Sequence, residues 1–321
     1  MDIFTKRMLL QDIPQVNQLL SRAFTQGRKD DGFEYTHIPL CRQQFLEMYR
    51  EECPDGCFVL QNSSQIVAAA FCHIWGQTGW IGPLAVEPDK HSGGLGKHLL
   101  MECLHFLKES GCTTIGLETN PRSNRNIGFY CKAGFVPDTL TADLIRRVHY
   151  DPDDKLASPF KIIFFSECSS DDQKEFCRVV FKLTQKITPN VDYSSLIHSL
   201  ANFNFGESIL LFHNTTPVAY CSYQTLSTSV EEDNYILRNI IFLAHPDVPV
   251  DYFGHFITVL DSIAANRDLD QLLFRVQLAN NLVIRRMLEM NFKVIHTDQR
   301  MVLQDYPDKS RPNSLLLSRW V

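Results

Sequence analysis

The stretch from Ile81 to Lys97 constrains the fold of this chain more than any other. It reads I-G-P-L-A-V-E-P-D-K-H-S-G-G-L-G-K, an apolar strand followed by a glycine-rich turn. Pro88 stops the strand after Val86, and apolar residues at intervals of three and four predict a helix after Gly96. The free N–H groups at a helix N-terminus and the helix dipole favour a bound anion. The stretch therefore predicts a strand, a phosphate-sized loop and a helix.

Two familiar phosphate-binding motifs do not fit this loop. A Walker loop requires Lys followed by Ser or Thr, whereas Lys97 is followed by His98. The dinucleotide fingerprint G-x-G-x-x-G is absent, because Gly93, Gly94 and Gly96 stand in the order G-G-x-G. Glycines lack the Cβ atoms that would keep a phosphate away from the backbone. A turn that joins the strand to the helix and binds nothing is the alternative.

A second motif lies downstream, from Ile115 to Phe135. It reads I-G-L-E-T-N-P-R-S-N-R-N-I-G-F-Y-C-K-A-G-F, a strand that ends in L-E-T and a short helix closed by K-A-G-F. Together the two motifs resemble the GCN5-related N-acetyltransferase (GNAT) superfamily over most of residues 1–150. The first is similar to the Q/R-x-x-G-x-G/A pyrophosphate loop, with His91 in place of the usual Gln or Arg. The second is similar to the N-x-x-F-Y-x-K-x-G-F helix beside the pantetheine.

The order of the predicted elements in the first half is β-α-α-β-β-β-α-β-α-β, a mixed layer architecture that matches the GNAT order. The second half repeats the first, since Pro246 and Gly254 each lie 158 residues after Pro88 and Gly96. We therefore predict an α/β fold (α+β mixed sheet) of two tandem GNAT-like domains, each a mixed sheet flanked by helices. The predicted parts are a catalytic domain at 1–150, a linker at 151–159, a degenerate GNAT-like domain at 160–306 and a C-terminal tail at 307–321.

The second copy lacks the glycine-rich loop. Residues 249–254 read P-V-D-Y-F-G, so that only Gly254 remains and Asp251 would face the phosphates. A fixed negative charge beside a pyrophosphate costs several kcal/mol at an effective dielectric of about 20. We therefore expect no coenzyme in the second copy, a second active site being the alternative. Without a coenzyme, the second copy would cover or extend the acceptor cleft of the first, or bind a protein partner.

The resemblance implies acetyl-CoA as the cosubstrate, held where the strands that end at Val86 and Thr119 separate. Its pantetheine would pair with the first of these strands as another strand would, and its pyrophosphate would lie on the amides of the glycine-rich loop. The residues expected to bind it are Leu84, Ala85 and Val86 along the pantetheine, His91, Ser92, Gly93, Gly94, Leu95, Gly96 and Lys97 around the pyrophosphate, and Asn126 and Tyr130 on the following helix.

The resemblance also implies direct attack of an uncharged amine on the thioester, through a tetrahedral intermediate and without an acyl-enzyme. Tyr130 would be the general acid that protonates the leaving thiolate. The first candidate for the general base is Glu118, followed by Glu87 and His73, and a chain of water molecules is the alternative to a single base. Each of these side chains could instead be purely structural.

The acceptor implied by the resemblance is a primary amine, either of a small molecule or of a protein Lys or N-terminus. The loop at residues 25–39 stands where GNAT enzymes usually build the acceptor pocket, and Glu34, Tyr35 and His37 are its candidate contacts. A regulatory or scaffold protein that binds acetyl-CoA without turnover is the alternative to an N-acetyltransferase, and so is a chain in which both copies are active.

Composition excludes several classes of partner. The net charge of −6 argues against a nucleic-acid partner, which would require a basic patch. The ten cysteines show no C-x-x-C or zinc spacing, which favours reduced thiols in a cytoplasmic protein without a metal. No apolar run approaches the length of a membrane span, so no membrane partner is expected. At about 150 residues the first copy can bury its own core, and we expect it to fold and bind acetyl-CoA alone.

Overall fold

A computed structural model of the chain describes residues 3–63, 65–150, 160–233, 235–249, 252–311 and 314–319. The predicted linker at 151–159 and the predicted phosphate-facing Asp251 lie outside the described residues.

The first half contains six strands and four helices among these residues. They are β1 (Ile3–Arg7), α1 (Ile13–Asp30), α2 (Gln43–Glu52), β2 (Cys57–Asn62), β3 (Gln65–Trp75), β4 (Thr78–Val86), α3 (Leu95–Glu109), β5 (Thr114–Thr119), α4 (Asn124–Lys132) and β6 (Phe135–Arg147). A 3₁₀ turn, Pro88–Gly93, joins β4 to α3.

The second half repeats this order and adds one short strand. Its elements are β7 (Phe160–Phe164), α5 (Ser170–Thr184), α6 (Ser194–Asn202), β8 (Gly206–His213), β9 (Thr216–Gln224), β10 (Ile236–Ala244), α7 (Phe253–Ala265), β11 (Gln271–Gln277), α8 (Asn281–Glu289), β12 (Lys293–Leu303) and β13 (Leu316–Ser318). The predicted α/β class and the tandem repeat of a mixed sheet flanked by helices are confirmed.

Two local predictions were wrong. The segment assigned to a loop at residues 25–39 is helical as far as Asp30, where Gln26 donates a hydrogen bond to the Asp30 carboxylate at 2.8 Å, one turn away. Arg28 and Lys29 in the last turn also suit the negative end of the helix dipole. The segment assigned to a C-terminal tail is not free either, because it contains β13, whose three residues are buried in the sheet.

The described strands form one continuous sheet in which the two halves exchange their last long strands. Within each half, four antiparallel strands precede a fifth that runs parallel to the fourth. In the first half, β5 pairs next with β12, which belongs to the second half. In the second half, β11 pairs with β6, which belongs to the first. The strands β6 and β12 also pair with each other and so complete the sheet.

A buried ionic network lies where these exchanged strands meet. Arg275 of β11 donates to Asp143 of β6 with Nε at 2.8 Å and Nη2 at 3.0 Å, and to Glu118 of β5 with Nη1 at 2.5 Å. Its Nη2 also lies 2.9 Å from Asp298 of β12. The Arg275 side chain is only 4% exposed, so water does not screen these pairs. One guanidinium thus joins carboxylates that the sequence places in both halves.

The two halves also share an apolar core on one face of the sheet. The ring centroids of Phe45, in α2, and Phe205, which precedes β8, are 5.6 Å apart. The same cluster continues through Val16 of α1 to Phe176 of α5 and Leu200 of α6. The helical layers are therefore as continuous across the halves as the sheet is.

The strand exchange contradicts the expectation that residues 1–150 fold alone. In that fragment β5 would lose β12, and β6 would lose both β11 and β12. We expect the fragment to be insoluble or to lack a cooperative thermal transition, as measured by size exclusion and circular dichroism. Co-expression with residues 160–321 as a separate chain should restore a soluble complex. A fragment that melts cooperatively and binds acetyl-CoA by itself would contradict the structure.

A second prediction concerns Arg275. Arg275→Met should reduce the free energy of unfolding by about 3–5 kcal/mol, because it leaves buried carboxylates without their counter-charge. Arg178→Met removes an arginine from an exposed pair with Glu175 and should leave the melting temperature unchanged. Urea denaturation of both variants measures the difference, and equal midpoints would mean that the buried network contributes nothing.

Candidate active site

The strands β4 and β5 separate along their length and leave a gap in the sheet, here called the β4/β5 gap. They pair only from Thr78–Trp80 to Thr114–Gly116. Beyond that point Leu84, Ala85 and Val86 pair with β3 on one edge, and β5 pairs with β12 instead. The other edge of these three residues therefore faces the gap. The predicted pantetheine contacts lie where a further extended chain could pair with β4.

The glycine-rich loop ends at this gap and begins α3. Gly94 adopts a left-handed conformation, with φ of 73°, and is the N-cap of the helix, a position that favours glycine. A Cβ on Gly96 would lie 3.5 Å from Cγ2 of Val86 and 3.7 Å from Cζ of Phe129. The helix start thus packs against both the end of β4 and the helix α4. The predicted loop residues Gly93 to Lys97 lie together at this N-terminus, with Lys97 exposed.

Two other residues predicted to belong to the loop, His91 and Ser92, are described by their backbone alone. His91 and Ser92 belong to the 3₁₀ turn before α3, and their side chains lie outside the described part of the structure.

Helix α4 lies beside the loop and carries Asn126 and Tyr130 one turn apart. Asn126 donates from Nδ2 to Oγ1 of Thr119, the last residue of β5, at 3.4 Å. Tyr130 is half-buried against Phe129 and Phe135, with ring centroids 5.0 and 5.9 Å away. Burial, with a smaller contribution from Cys103, raises the pKa of Tyr130 to about 12. At neutral pH its phenol therefore retains the proton that a general acid must donate.

Glu118 is not available as a general base, which corrects the first candidate from the sequence. Its Oε1 accepts from Nε and Nη2 of Arg300 at 3.0 and 2.8 Å, and its Oε2 accepts from Arg275. The Glu118 side chain is 5% exposed. Both oxygens of this carboxylate are thus occupied by buried guanidinium groups of the second half, and neither is open to an acceptor in the β4/β5 gap. Its role is to join β5 to the second half.

The other two candidate bases are also engaged. Glu87 forms an ion pair with Arg22 of α1 beside the glycine-rich loop. His73 is 1% exposed, with its Nε2 3.0 Å from the carbonyl of Gly82 and its Nδ1 3.5 Å from Glu52. It therefore supports the backbone of β4 just before the predicted pantetheine contacts. Glu87 is thus paired with a cation, and His73 is buried beneath the strand rather than exposed to the β4/β5 gap.

The predicted acceptor contacts in the loop after α1 point away from a pocket. Tyr35 is 81% exposed, Glu34 is exposed, and His37 pairs with the exposed Glu231 at 3.1 Å. Ile38 and Pro39 of the same loop do line a cavity. The loop therefore contributes to a pocket, but through residues that the sequence analysis did not select.

This cavity, here called the inter-half cavity, has a volume of about 270 Å³. Its walls are α1, α2, the loop between them and Pro83 of β4 on one side, and Gln224, Arg238, Ile240 and Arg319 of the second half on the other. Pro83 directly precedes the three residues that border the β4/β5 gap. The sequence analysis missed both arginines, although a single Arg in the apolar strand I-L-R-N-I-I-F-L-A signals a buried charge.

The equivalent gap in the second half is filled by the chain itself. The strands β10 and β11 pair only from Ile236–Arg238 to Gln271–Leu273. Beyond that point β13 pairs antiparallel with Ile241, Phe242 and Leu243 of β10. Two further backbone bonds, from Ala244 to Leu315 and from Arg319 to Ile240, extend the pairing. The C-terminal segment thus occupies the position that corresponds to the predicted pantetheine slot.

The helix position that Tyr130 holds in the first half is also different in the second half. The helices α4 and α8 are both nine residues long, and Met287 stands at the seventh residue of α8, as Tyr130 does in α4. Met287 is fully buried in the core, and a thioether cannot donate a proton.

Comparison of the fold with solved structures gives similar chains over almost the full length. A putative acetyltransferase from Pyrococcus horikoshii has a TM-score of 0.65 at 13% identity, over 97% of this chain and 95% of that one. A tandem GNAT protein from the clavulanic acid biosynthesis pathway has a TM-score of 0.61 at 11% identity, over 96% and 100%. At these identities the likeness shows the fold alone, which is that of a tandem GNAT protein.

Sequence comparison finds similarity in part of the first half. Residues 13–135 match the model of the acetyltransferase (GNAT) family. N-alpha-acetyltransferase 30 from Xenopus laevis is 24% identical over 144 residues, which cover 38% of this chain and 53% of that protein. The chain thus spans about half the length of this curated relative. The chain therefore has the fold of tandem GNAT proteins, and a region of its first half is similar to the acetyltransferase (GNAT) family.

Three other features bear on the site. Among the described residues, no group of His, Cys, Asp and Glu could hold a metal ion. All ten cysteines are free thiols. No helix in the described part of the chain is long and apolar enough to cross a membrane.

The N-terminus of α3 yields a prediction about coenzyme affinity. Gly94→Asp should weaken the binding of acetyl-CoA by about tenfold to several hundredfold relative to Gly94→Asn, because it places a negative charge beside the pyrophosphate. Asn and Asp both tolerate positive φ, so the two variants differ mainly in charge. Calorimetric titration measures the two dissociation constants. Equal affinities would mean that the pyrophosphate lies elsewhere.

Proposed function

We propose that the chain is an N-acetyltransferase that moves an acetyl group from acetyl-CoA to an amine, with one active site, in the first half. The observation that carries this proposal is the contrast between the two gaps in the sheet. The β4/β5 gap is bordered by the loop, by α4 and by Leu84 to Val86 of β4. The corresponding gap of the second half is filled by β13.

The residues around the β4/β5 gap suit acetyl transfer from a thioester. Backbone N–H groups of β4 would hold the pantetheine and polarise the thioester carbonyl, on which negative charge develops in the tetrahedral intermediate. The amides at the start of α3 would hold the pyrophosphate. Tyr130 keeps its proton at neutral pH and would deliver it to the thiolate that leaves. Asn126, one turn earlier, would hold the pantetheine amide.

The amine must lose a proton before or during attack. We propose that water carries this proton from the inter-half cavity, because Glu118, Glu87 and His73 are each engaged with another group. The cavity would receive the acceptor, because it adjoins Pro83 at the edge of the gap. The second half would then serve the reaction by completing the wall of the acceptor site.

A regulatory protein that binds acetyl-CoA without turnover is the alternative function. Both functions require binding, but only an acetyltransferase releases CoA thiol when a suitable amine is present. A thiol-release assay with a panel of small primary amines and peptides separates them. Binding of acetyl-CoA without thiol release on any acceptor would favour the regulatory protein, and two equivalent coenzyme sites in calorimetry would contradict the assignment to one half.

Tyr130 provides the sharpest test of the proposed mechanism. Tyr130→Phe keeps the aromatic ring and its packing, and removes only the hydroxyl group. Because loss of a general acid costs about 10²–10⁴ in rate, kcat should fall by a factor in this range while the affinity for acetyl-CoA stays nearly unchanged. Met287→Leu, at the same helix position of the second half, is the matched control and should leave kcat unchanged. An unchanged kcat in Tyr130→Phe would assign the proton donation to solvent.

A further inference from the structure

The inter-half cavity is lined by a partly buried arginine with one unpaired N–H group. Arg238 lies on β10 and lines the cavity, and its Nε is buried without a hydrogen-bond partner among the described residues. Burial lowers the pKa of Arg238 below its usual value, and the negative charge of Glu232 opposes this effect. A buried N–H group without a hydrogen-bond partner is costly, and an anionic ligand would offset that cost.

A second arginine in the same wall has only part of its charge compensated. Nη1 of Arg319 lies 3.3 Å from Oδ2 of Asp143. Both oxygens of Asp143 already accept hydrogen bonds from Arg275. Burial, together with the charges of Arg275 and Arg238, lowers the pKa of Arg319 to about 10 despite the attraction of Asp143. The two arginines line the same wall, and their main anionic neighbour, Asp143, is shared with Arg275.

Glu232 also lines the cavity and is the nearest compensating charge for Arg238. Its Oε2 accepts a hydrogen bond from Oγ of Ser227 at 2.9 Å, and the residue is exposed. A solvated carboxylate compensates a cation only weakly. The Nε group of Arg238 therefore still lacks a hydrogen-bond partner among the described residues.

The rest of the cavity is apolar and small. Phe24, Ile38, Phe45 and Ile240 line it, together with Pro83 at the edge of the β4/β5 gap. Its volume of about 270 Å³ is at the lower end of the range for small-molecule sites. It therefore suits a compact ligand with an apolar body and one anionic group, rather than a folded protein surface.

We propose that the acceptor is a free amino acid with an apolar side chain, whose carboxylate binds Arg238 and Arg319 and whose amine faces Pro83 and the thioester. This assignment rests on the proposed function of the same site. In the transfer step the amine nitrogen bonds to the acetyl carbon and the C–S bond breaks. The ammonium group loses one proton to water before attack and the nitrogen loses a second one as the amide forms. The thiolate takes a proton from Tyr130, which water then protonates again. The products are an N-acetylated amino acid and CoA thiol.

This assignment excludes the larger acceptors. A protein N-terminus presents an amide where a free amino acid presents its carboxylate, and a protein Lys side chain carries no anion near its amine. Either would leave Arg238 and Arg319 buried opposite an uncharged group, without the charge-assisted bonds that distinguish a carboxylate.

The test compares acids with their amides in a binding experiment that does not depend on turnover. The enzyme is saturated with CoA and titrated calorimetrically with L-leucine, L-isoleucine, L-methionine and L-phenylalanine, and with the amide of each. For the amino acid that binds best, we expect the acid to bind about tenfold to hundredfold tighter than its amide. In Arg238→Gln this ratio should fall to about one. Arg178→Gln, a matched change in an exposed pair on α5, should leave the ratio unchanged.

The outcomes separate this inference from the proposed function. Equal affinities for acid and amide, no binding of any acid, or a ratio that survives in Arg238→Gln would overturn the inference, whatever the thiol-release assay gives. Acid-selective binding that depends on Arg238 but yields no CoA thiol would support the inference and contradict the acetyltransferase. If the circular dichroism melt of Arg238→Gln matches that of the unmodified protein, the loss of preference for the acid over its amide is due to the site and not to unfolding.

Discussion

The structure depends on the ion pairs that Arg275 makes with Glu118 and Asp143, since these three side chains join the two halves of the chain at the centre of one sheet. Each partner is almost fully buried, so removal of one would leave an uncompensated charge where water cannot reach it. The exchange of β6 and β12 gives these ion pairs their positions. For the same reason the two halves share one sheet, although each repeats the order of a complete GNAT domain.

The duplicated halves meet the same structural requirement in two ways. A strand that separates from its neighbour leaves backbone groups that need hydrogen-bond partners. In the second half β13 supplies them, and in the first half Leu84 to Val86 border the β4/β5 gap, in which no strand corresponding to β13 is found among the described residues. The C-terminal segment therefore does more than close the second gap, because Arg319, which follows β13 directly, lines the inter-half cavity. In our proposal the copy that has lost its coenzyme site has become part of the acceptor site of the other copy.

The sequence predicted best what is determined by local spacing. The loop residues, α3 and α4 lie close together in the chain, and the contacts of Gly96 with Val86 and Phe129 follow from a strand, a turn and two short helices. Residues chosen for their chemical type alone were less reliable. Glu118 ends a strand beside the expected cleft, as a base would, but its partners Arg275 and Arg300 lie 157 and 182 residues further along the chain. Nothing near Glu118 in the sequence indicates them.

The sequence by itself determined the class of fold, the repeat, the family resemblance of the first half and the loss of the glycine-rich loop in the second. These follow from short-range patterns, in which the periods of strands and helices and the positions of glycine and proline carry the information. Only the tertiary structure decided that the halves exchange strands, that β13 fills the second gap and that Arg238 and Arg319 meet in one cavity. Pairing between distant strands depends on which edges remain free after the local elements have formed, and the order of residues along the chain does not specify that choice.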